Sequence, residues 1–428
     1  MRIAIISINY APEPVGIAVY TTGLARYLAR RGHAVRVHTG FAWYPSWRQA
    51  ATDRHVAFRA DVEAGVSLWR SWLHVPRRVT TFTRMLHEAS FVLSATIAWL
   101  VAPRTDLVIV VMPPLLLALP VVEFARLRGS RVILHVQDLQ PDAAIALGLL
   151  RPSRFTELLL AIERFVYRRA DRVSSISEAM LERIGAKGVA ASRRILLRNW
   201  ASDLAWPQAG SSGSLRAAWQ LGERLVVLYA GNLGRKQGLD MLIDAAECLR
   251  DVPDIVLVIV GEGSESSHLQ ARIAASELGN VVLQPLQPSE GLPELLLTAD
   301  IHVIPQRAGV TDIVLPSKLG NILASARPVI VSALASSELA TIVATRACGV
   351  VVPPGEGAAL AAAIIRLRDD RPGRVRMGER GHETATTLFA SQGILAAFAE
   401  QIEDLVSELP SSRLLRRGAS GPRSARGS

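Results

Sequence analysis

The chain has 428 residues, half of them apolar and a fifth charged, which excludes a disordered polypeptide and exceeds one compact core, so two domains are expected. Its two cysteines, Cys248 and Cys348, stand far apart in apolar surroundings, which excludes a disulfide framework or a CxxC metal site and fits a reducing cytoplasm. The net charge of +10 is unevenly divided: residues 1–199 carry 27 Lys and Arg against 14 Asp and Glu, residues 200–409 carry 16 against 24, and residues 410–428 add five arginines.

Residues 1–12, MRIAIISINYAP, are apolar over too short a run for a signal peptide and lack a cleavage site. Residues 3–8 read as a first parallel strand buried on both faces. The loop 9–16 leads into a helix over 17–31 that Gly32 closes. Gly16 at the helix entry admits a phosphate close to the backbone. Residues 41–47, FAWYPSW, crowd aromatics into a loop that suits core packing as well as carbohydrate stacking.

A helix over 77–102 opens with Arg77, Arg78 and Arg84 and is then apolar nearly all round. About 12 apolar residues cannot span a bilayer, which needs roughly 20. The helix is therefore either buried or interfacial, with Phe91, Leu93, Ile97 and Trp99 partly entering lipid. The basic first half calls for an anionic partner. With aromatics at 5%, stacking platforms are scarce, so an anionic membrane surface is favoured and no nucleic acid is expected. A strand over 107–111, a helix over 113–128 and a strand over 131–136 follow. They place His135, Gln137, Asp138 and Asp142 at a strand's C-terminal end, where ligands bind in open α/β sheets. Asp138 is the residue chosen from that cluster, with His135 turned into the sheet. The alternation continues over 158–169, 172–176 and 177–184, and residues 195–199 close the first domain.

A Ser-, Gly-, Pro- and Ala-rich linker occupies 201–214. The alternation restarts with a strand over 225–230 and the loop 231–238, GNLGRKQG, which offers Gly231 and Lys236 to a phosphate. A strand over 255–260 runs into GEGSES with Gly261, a weak glycine signal by itself. Strands over 281–283, 301–304 and 329–331 and helices over 358–368 and 388–405 complete the second half, and the tail 410–428 reads as disordered. Within 311–331, TDIVLPSKLGNILASARPVIV, Ser317 is a suitable N-cap and Lys318 stands in the first helical turn. A cation there contradicts dipole preference unless an anion binds. Asp312 lies just upstream, within reach of sugar hydroxyls.

The opening NYAPEPVGI…LARYLARRGHAVRVHT, the segment ADRVSSISEAM and the stretch LPSKL…ILA…RPVI resemble family 4 glycosyltransferases. The last is similar to the WcaI-like subgroup of colanic-acid and other exopolysaccharide transferases. The resemblance spans residues 1–405. It implies the GT-B fold: an acceptor-side Rossmann-like domain (1–200), a linker (201–214), a nucleotide-sugar-binding Rossmann-like domain (215–387) and a helix (388–409) returning to the first domain. It implies a cytoplasmic, peripherally membrane-bound retaining transferase with no metal or other cofactor, moving sugar from a GDP- or UDP-sugar, GDP-fucose among them, to a polyprenyl-diphosphate-linked acceptor. Asp138 and Asp312 would be catalytic. Gly16, Gly231, Asn232, Lys236, Gln237, Gly261, Ser317, Lys318, Asn321 and Glu338 would bind the donor. Glu13, Arg77, Arg78 and Arg84 would face acceptor or membrane. Where many family members carry Arg and Lys in the phosphate loop, this chain has Asn232 and Gln237. Their two glutamates eight apart correspond to Asp312 and Asn321. Those departures leave open a catalytically silent relative, and a nonhydrolysing sugar-nucleotide epimerase is a third reading.

Overall fold

The computed structural model describes residues 1–14, 16–202, 213–307, 309 and 315–408. Uninterrupted apolar runs such as LVIVVM (107–112) and IVLVIV (255–260) are buried at every residue, as central parallel strands flanked by helices on both faces must be. The first sheet contains β1 (Arg2–Ile6), β2 (Ala34–Gly40), β3 (Phe58–Glu63), β4 (Val66–Ser71), β5 (Leu107–Met112), β6 (Arg131–Val136), β7 (Arg172–Ser175) and β8 (Arg194–Leu196). Their spatial order is β3-β4-β2-β1-β5-β6-β7-β8. Only the edge strand β3 runs antiparallel to its neighbour. The second sheet contains β9 (Leu225–Ala230), β10 (Ile255–Val260), β11 (Val281–Gln284), β12 (Ile301–Pro305), β13 (Val329–Ser332) and β14 (Gly349–Val352), in the all-parallel order β11-β10-β9-β12-β13-β14.

The first domain's helices are α1 (Ile17–Arg30), α2 (Thr81–Val101), α3 (Leu115–Leu127), α4 (Gln140–Ala146), α5 (Arg154–Arg169) and α6 (Glu178–Ala186). The second domain adds α7 (Gly213–Ala218), α8 (Asp240–Cys248), α9 (Ser266–Ala275), α10 (Leu292–Thr298), α11 (Leu319–Ala324), α12 (Glu338–Thr345), α13 (Gly357–Asp369) and α14 (Arg371–Leu388). The last helix, α15 (Ser391–Ser407), packs back on the first domain. Its Leu395, Phe398 and Ile402 join Ile3, Ile5, Leu24 and Leu28 of β1 and α1 in one core. On the opposite face of that sheet, Phe91 and Trp99 of α2 pack with Leu117 and Val121 of α3 and Val166 of α5.

The β3–β4 hairpin and α14 were not visible in the sequence pattern. β3, FRADVE, is an exposed edge strand with no buried residue, so it shows no apolar alternation. α14 is polar and glycine-rich, and the glycines are what it packs with: a Cβ on Gly378 would lie 2.1 Å from the Ala326 carbonyl oxygen. Close backbone contact replaces an apolar stripe there.

Candidate active site

A cavity of about 420 Å³, within the usual range for small-molecule sites, lies between the two sheets. The first domain contributes Pro14, Gly16, Val19, Tyr20 and Tyr44, and the second contributes Gly231, Asn232, Lys236, Gln237, Ser317, Lys318 and Asn321. Its apolar wall comes from Leu286, Leu292, Leu295 and Leu296. Both halves end parallel strands there, the general position for ligands in open α/β sheets. Gly16 stands at the N-cap of α1 with φ +65° and ψ −141°, a backbone conformation nearly confined to glycine.

Lys318 dominates the electrostatics. Its Nζ is enclosed and has no hydrogen-bond partner among the described residues, although the residue as a whole is only half-buried. The ammonium lies 4.0 Å from the centroid of the Tyr229 ring, an attraction that replaces only part of its lost hydration. Burial lowers its pKa to about 7. A Cβ on Gly231 would come within 2.6 Å of Nζ, so glycine there makes room for the lysine. The helix begins one residue later than the pattern implied: Lys318 is the N-cap of α11 and makes no side-chain cap bond. Ser317, expected to cap, instead accepts a hydrogen bond through its carbonyl from Tyr20 Oη at 3.2 Å, across the domain boundary.

The second lysine behaves differently. Lys236 Nζ donates to Asp138 Oδ2 at 2.6 Å, so a residue on the loop after β9 pairs with the acid that follows β6. Asp138 does not line the cavity, but the lysine it holds does. His135 Nδ1 lies 2.9 Å from Ser174 Oγ, and burial lowers its pKa to about 3, leaving it neutral inside the sheet. Asp142 is turned away, in an ion-pair cluster with Lys187 and Glu163.

The family described as "Glycosyl transferase 4-like domain" matches residues 15–200, and "Glycosyl transferases group 1" matches residues 214–384. Glycosyl transferase WcaI of Escherichia coli (strain K12), named for colanic acid biosynthesis, is 36% identical over 374 residues, covering 85% of this chain and 91% of that protein. The chain is a WcaI-like family 4 glycosyltransferase. Sucrose-phosphate synthase from Thermosynechococcus elongatus superposes with TM-score 0.74 at 19% identity, covering 95% of this chain and 99% of the other. Anabaena HepE in complex with UDP-glucose gives 0.70 at 15% identity, covering 94% and 100%. At such identities the likeness is one of fold, and with the two parallel sheets it establishes GT-B architecture.

Several residues expected to bind donor in this WcaI-like transferase have other or additional partners. Glu338 does not line the cavity. It pairs with Arg198 at 2.5 Å and accepts from the Ala179 amide at 2.9 Å, fastening α12 to the first domain. The resemblance implied a donor contact for it, and the chain order does not reveal which domain that helix end meets. Gly261 is a packing residue: its Cβ would sit 1.8 Å from the Gly231 carbonyl oxygen, so it supports the phosphate loop from behind. Asn321 lines the cavity, yet its Oδ1 accepts from the Ser202 amide at 2.7 Å where the chain crosses between domains. Glu13 is buried and held by three donors. Asp312 lies outside the described residues. Tyr20 and Tyr229 were missed, and Tyr44 was seen only as part of an aromatic loop suited to core packing or carbohydrate stacking. Each sits in an apolar context where an aromatic signals core, and only the fold shows which rim faces the cleft.

Proposed function

We propose that this transferase moves a sugar from a GDP- or UDP-linked donor, GDP-fucose among the candidates, to a lipid-diphosphate-linked saccharide in exopolysaccharide biosynthesis. The transfer would retain anomeric configuration and use no metal ion. The observation that carries this reading is the enclosed Lys318 ammonium beside Gly231, which has no hydrogen-bond partner among the described residues. A buried cation without a partner is costly unless an anion joins it. Breaking the sugar C1–O bond leaves added negative charge on the diphosphate. Lys318, with Lys236 released from Asp138, stands where that charge develops, the dominant electrostatic task in such a transfer. Two lysines supply the positive charge that a metal would otherwise bring. The name of WcaI supports the exopolysaccharide setting, and the UDP and UDP-glucose complexes of HepE support the donor class. The test is nucleoside diphosphate release from a panel of GDP- and UDP-sugars with and without lipid-linked acceptor. Acceptor-dependent release supports a transferase. Donor binding with no turnover on any acceptor would leave the silent relative.

The acceptor's membrane is proposed to meet α2. Among the described residues no helix is long and apolar enough to cross a bilayer. The expected lipid contacts divide: Phe91 and Trp99 are buried in the core, whereas Leu93 and Ile97 are 65% and 54% exposed. With Phe82, Leu86 and Val101, also exposed, they recur at helical spacing along one outer stripe. α3 packs against α2 and α5 and adds exposed Leu116, Phe124 and Leu127, while α5 adds Phe155 and Leu158. Arg77, Arg78 and Arg84 are exposed at the start of α2. An apolar surface bordered by arginines fits an anionic bilayer, each charge contributing about 1 kcal/mol near the surface. Flotation should show salt-weakened binding to anionic vesicles that is lost in the Arg77→Glu, Arg78→Glu, Arg84→Glu protein. Equal recovery with neutral vesicles would refute it.

A further inference from the structure

A second cavity, of about 330 Å³, lies within the first domain and shares Pro14 and Tyr44 with the donor cavity. Three guanidinium groups line it, those of Arg48, Arg59 and Arg70, against the carboxylates of Glu13 and Asp53. The carboxylates are already engaged. Glu13 accepts from the amides of Trp43 and Tyr44 at 3.0 Å each and from Asn9 Nδ2 at 2.7 Å, while Asp53 pairs with Arg59 at 2.8 Å. Arg70 is buried and donates to the carbonyls of Ala11 at 2.6 Å and Gly40 at 3.4 Å. Neither it nor exposed Arg48 has a carboxylate partner within salt-bridge distance among the described residues.

The cavity's surroundings say where its ligand comes from. Trp43 on its wall lies against His87 of α2, ring centroids 4.2 Å apart, and α2 carries the outward apolar stripe. The cavity therefore lies between the buried side of α2, which Trp43 and His87 fill, and the donor cavity, with which it shares Pro14 and Tyr44. We propose that the second cavity binds the anionic group of the acceptor, either a phosphate of its lipid carrier or the carboxylate of an acidic sugar. It would thereby set the acceptor hydroxyl against the donor. Arginine suits both anions through two parallel N–H···O bonds. The inference rests on the transferase reading.

The test separates the two. Full-length protein carrying Lys318→Ala, in which the donor cavity has lost its enclosed cation, is titrated calorimetrically with geranyl diphosphate and with methyl β-D-glucuronide. One of them should bind, and adding Arg48→Glu should weaken it at least tenfold, with Arg48→Gln intermediate. UDP and GDP affinity of the single Arg48→Glu protein should match wild type. Binding of geranyl diphosphate identifies the lipid carrier as the source, and binding of the glucuronide identifies an acidic sugar. No binding of either, or binding indifferent to Arg48→Glu, overturns the proposal while leaving the donor site intact. Failure of wild type to bind UDP and GDP would overturn the donor reading, and the response to Arg48→Glu would still decide the second cavity.

Discussion

Two turns of the second domain bring a lysine to the same cavity and hold it in opposite ways. Lys318, before α11, is enclosed, stacked on Tyr229 and without a hydrogen-bond partner among the described residues. Lys236, in the turn after β9, is a third exposed and joined to Asp138 of the other domain. The first has lost water and meets no anion among the described residues, so its free energy changes most when a ligand supplies one. The second already has a partner and gains only the difference between two anions. On the proposed reading, burial without compensation marks the ligand site, and compensation across the cleft marks a contact to be exchanged.

The contrast is broken most directly at Lys318. Charge-assisted hydrogen bonds contribute about 1.5–3 kcal/mol, so Lys318→Ala should weaken nucleoside diphosphate binding by roughly tenfold to a hundredfold. The unliganded protein should keep its Tm or gain, because the ammonium has no hydrogen-bond partner among the described residues and its attraction to Tyr229 replaces only part of its lost hydration. A large loss of Tm with unchanged affinity would make Lys318 a structural residue.

Titration sharpens the same point. The free protein's Lys318 has a pKa of about 7 against an ordinary 10.5, so between those values the unfolded chain binds more protons than the folded one. Stability contributed by this residue therefore rises with pH across that window, the penalty being full below pH 7. The Tm of wild type should approach that of Lys318→Met as pH increases from 7 to 10.5. Binding runs the other way, because a phosphate needs the charged form. Nucleoside diphosphate affinity should fall by up to about tenfold per pH unit above 7, and Lys318→Met should flatten that slope. A wild-type slope equal to that of the variant would remove Lys318 from the diphosphate site.

How much of this was legible in the chain follows from the kind of signal each residue leaves. Continuous apolar runs announced β1, β5, β6, β9 and β10, because a strand buried on both faces reads as a short apolar run bounded by turn residues. Lys318 stood out because a lysine opposes the dipole at a helix start, although the helix begins at Leu319 and is only six residues long. Glu338 misled because its partners, Arg198 and the Ala179 amide, are more than a hundred residues away. The lysine-to-aspartate contact across the cleft was invisible for the same reason. Local spacing reports the chemistry of a turn, and only the packed domains report what that turn faces. The outer stripe of α2 was half visible: apolarity all round was plain, but which stripe the core takes depends on its fit over the sheet and α3.

The smallest effect concerns Lys236, and it decides whether the two turns truly differ. An ion pair as exposed as Lys236–Asp138, with side chains 35% and 26% accessible, is worth about 0–1 kcal/mol. Asp138→Ala should release Lys236 to the donor and raise nucleoside diphosphate affinity by no more than about fivefold. Lys236→Ala alone should lower it by a few-fold, less than Lys318→Ala, because wild type surrenders one anion to gain another. In the Asp138→Ala background the same Lys236→Ala change should produce the larger loss, and the double-mutant cycle measures the exchange directly. Calorimetric titration of the four proteins with UDP and GDP gives all the terms. If Asp138→Ala instead weakens nucleotide binding while the protein stays folded, Asp138 positions Lys236 for the phosphate. The cross-cleft pair would then be part of the donor site, and the contrast between the two lysines would lie in burial alone.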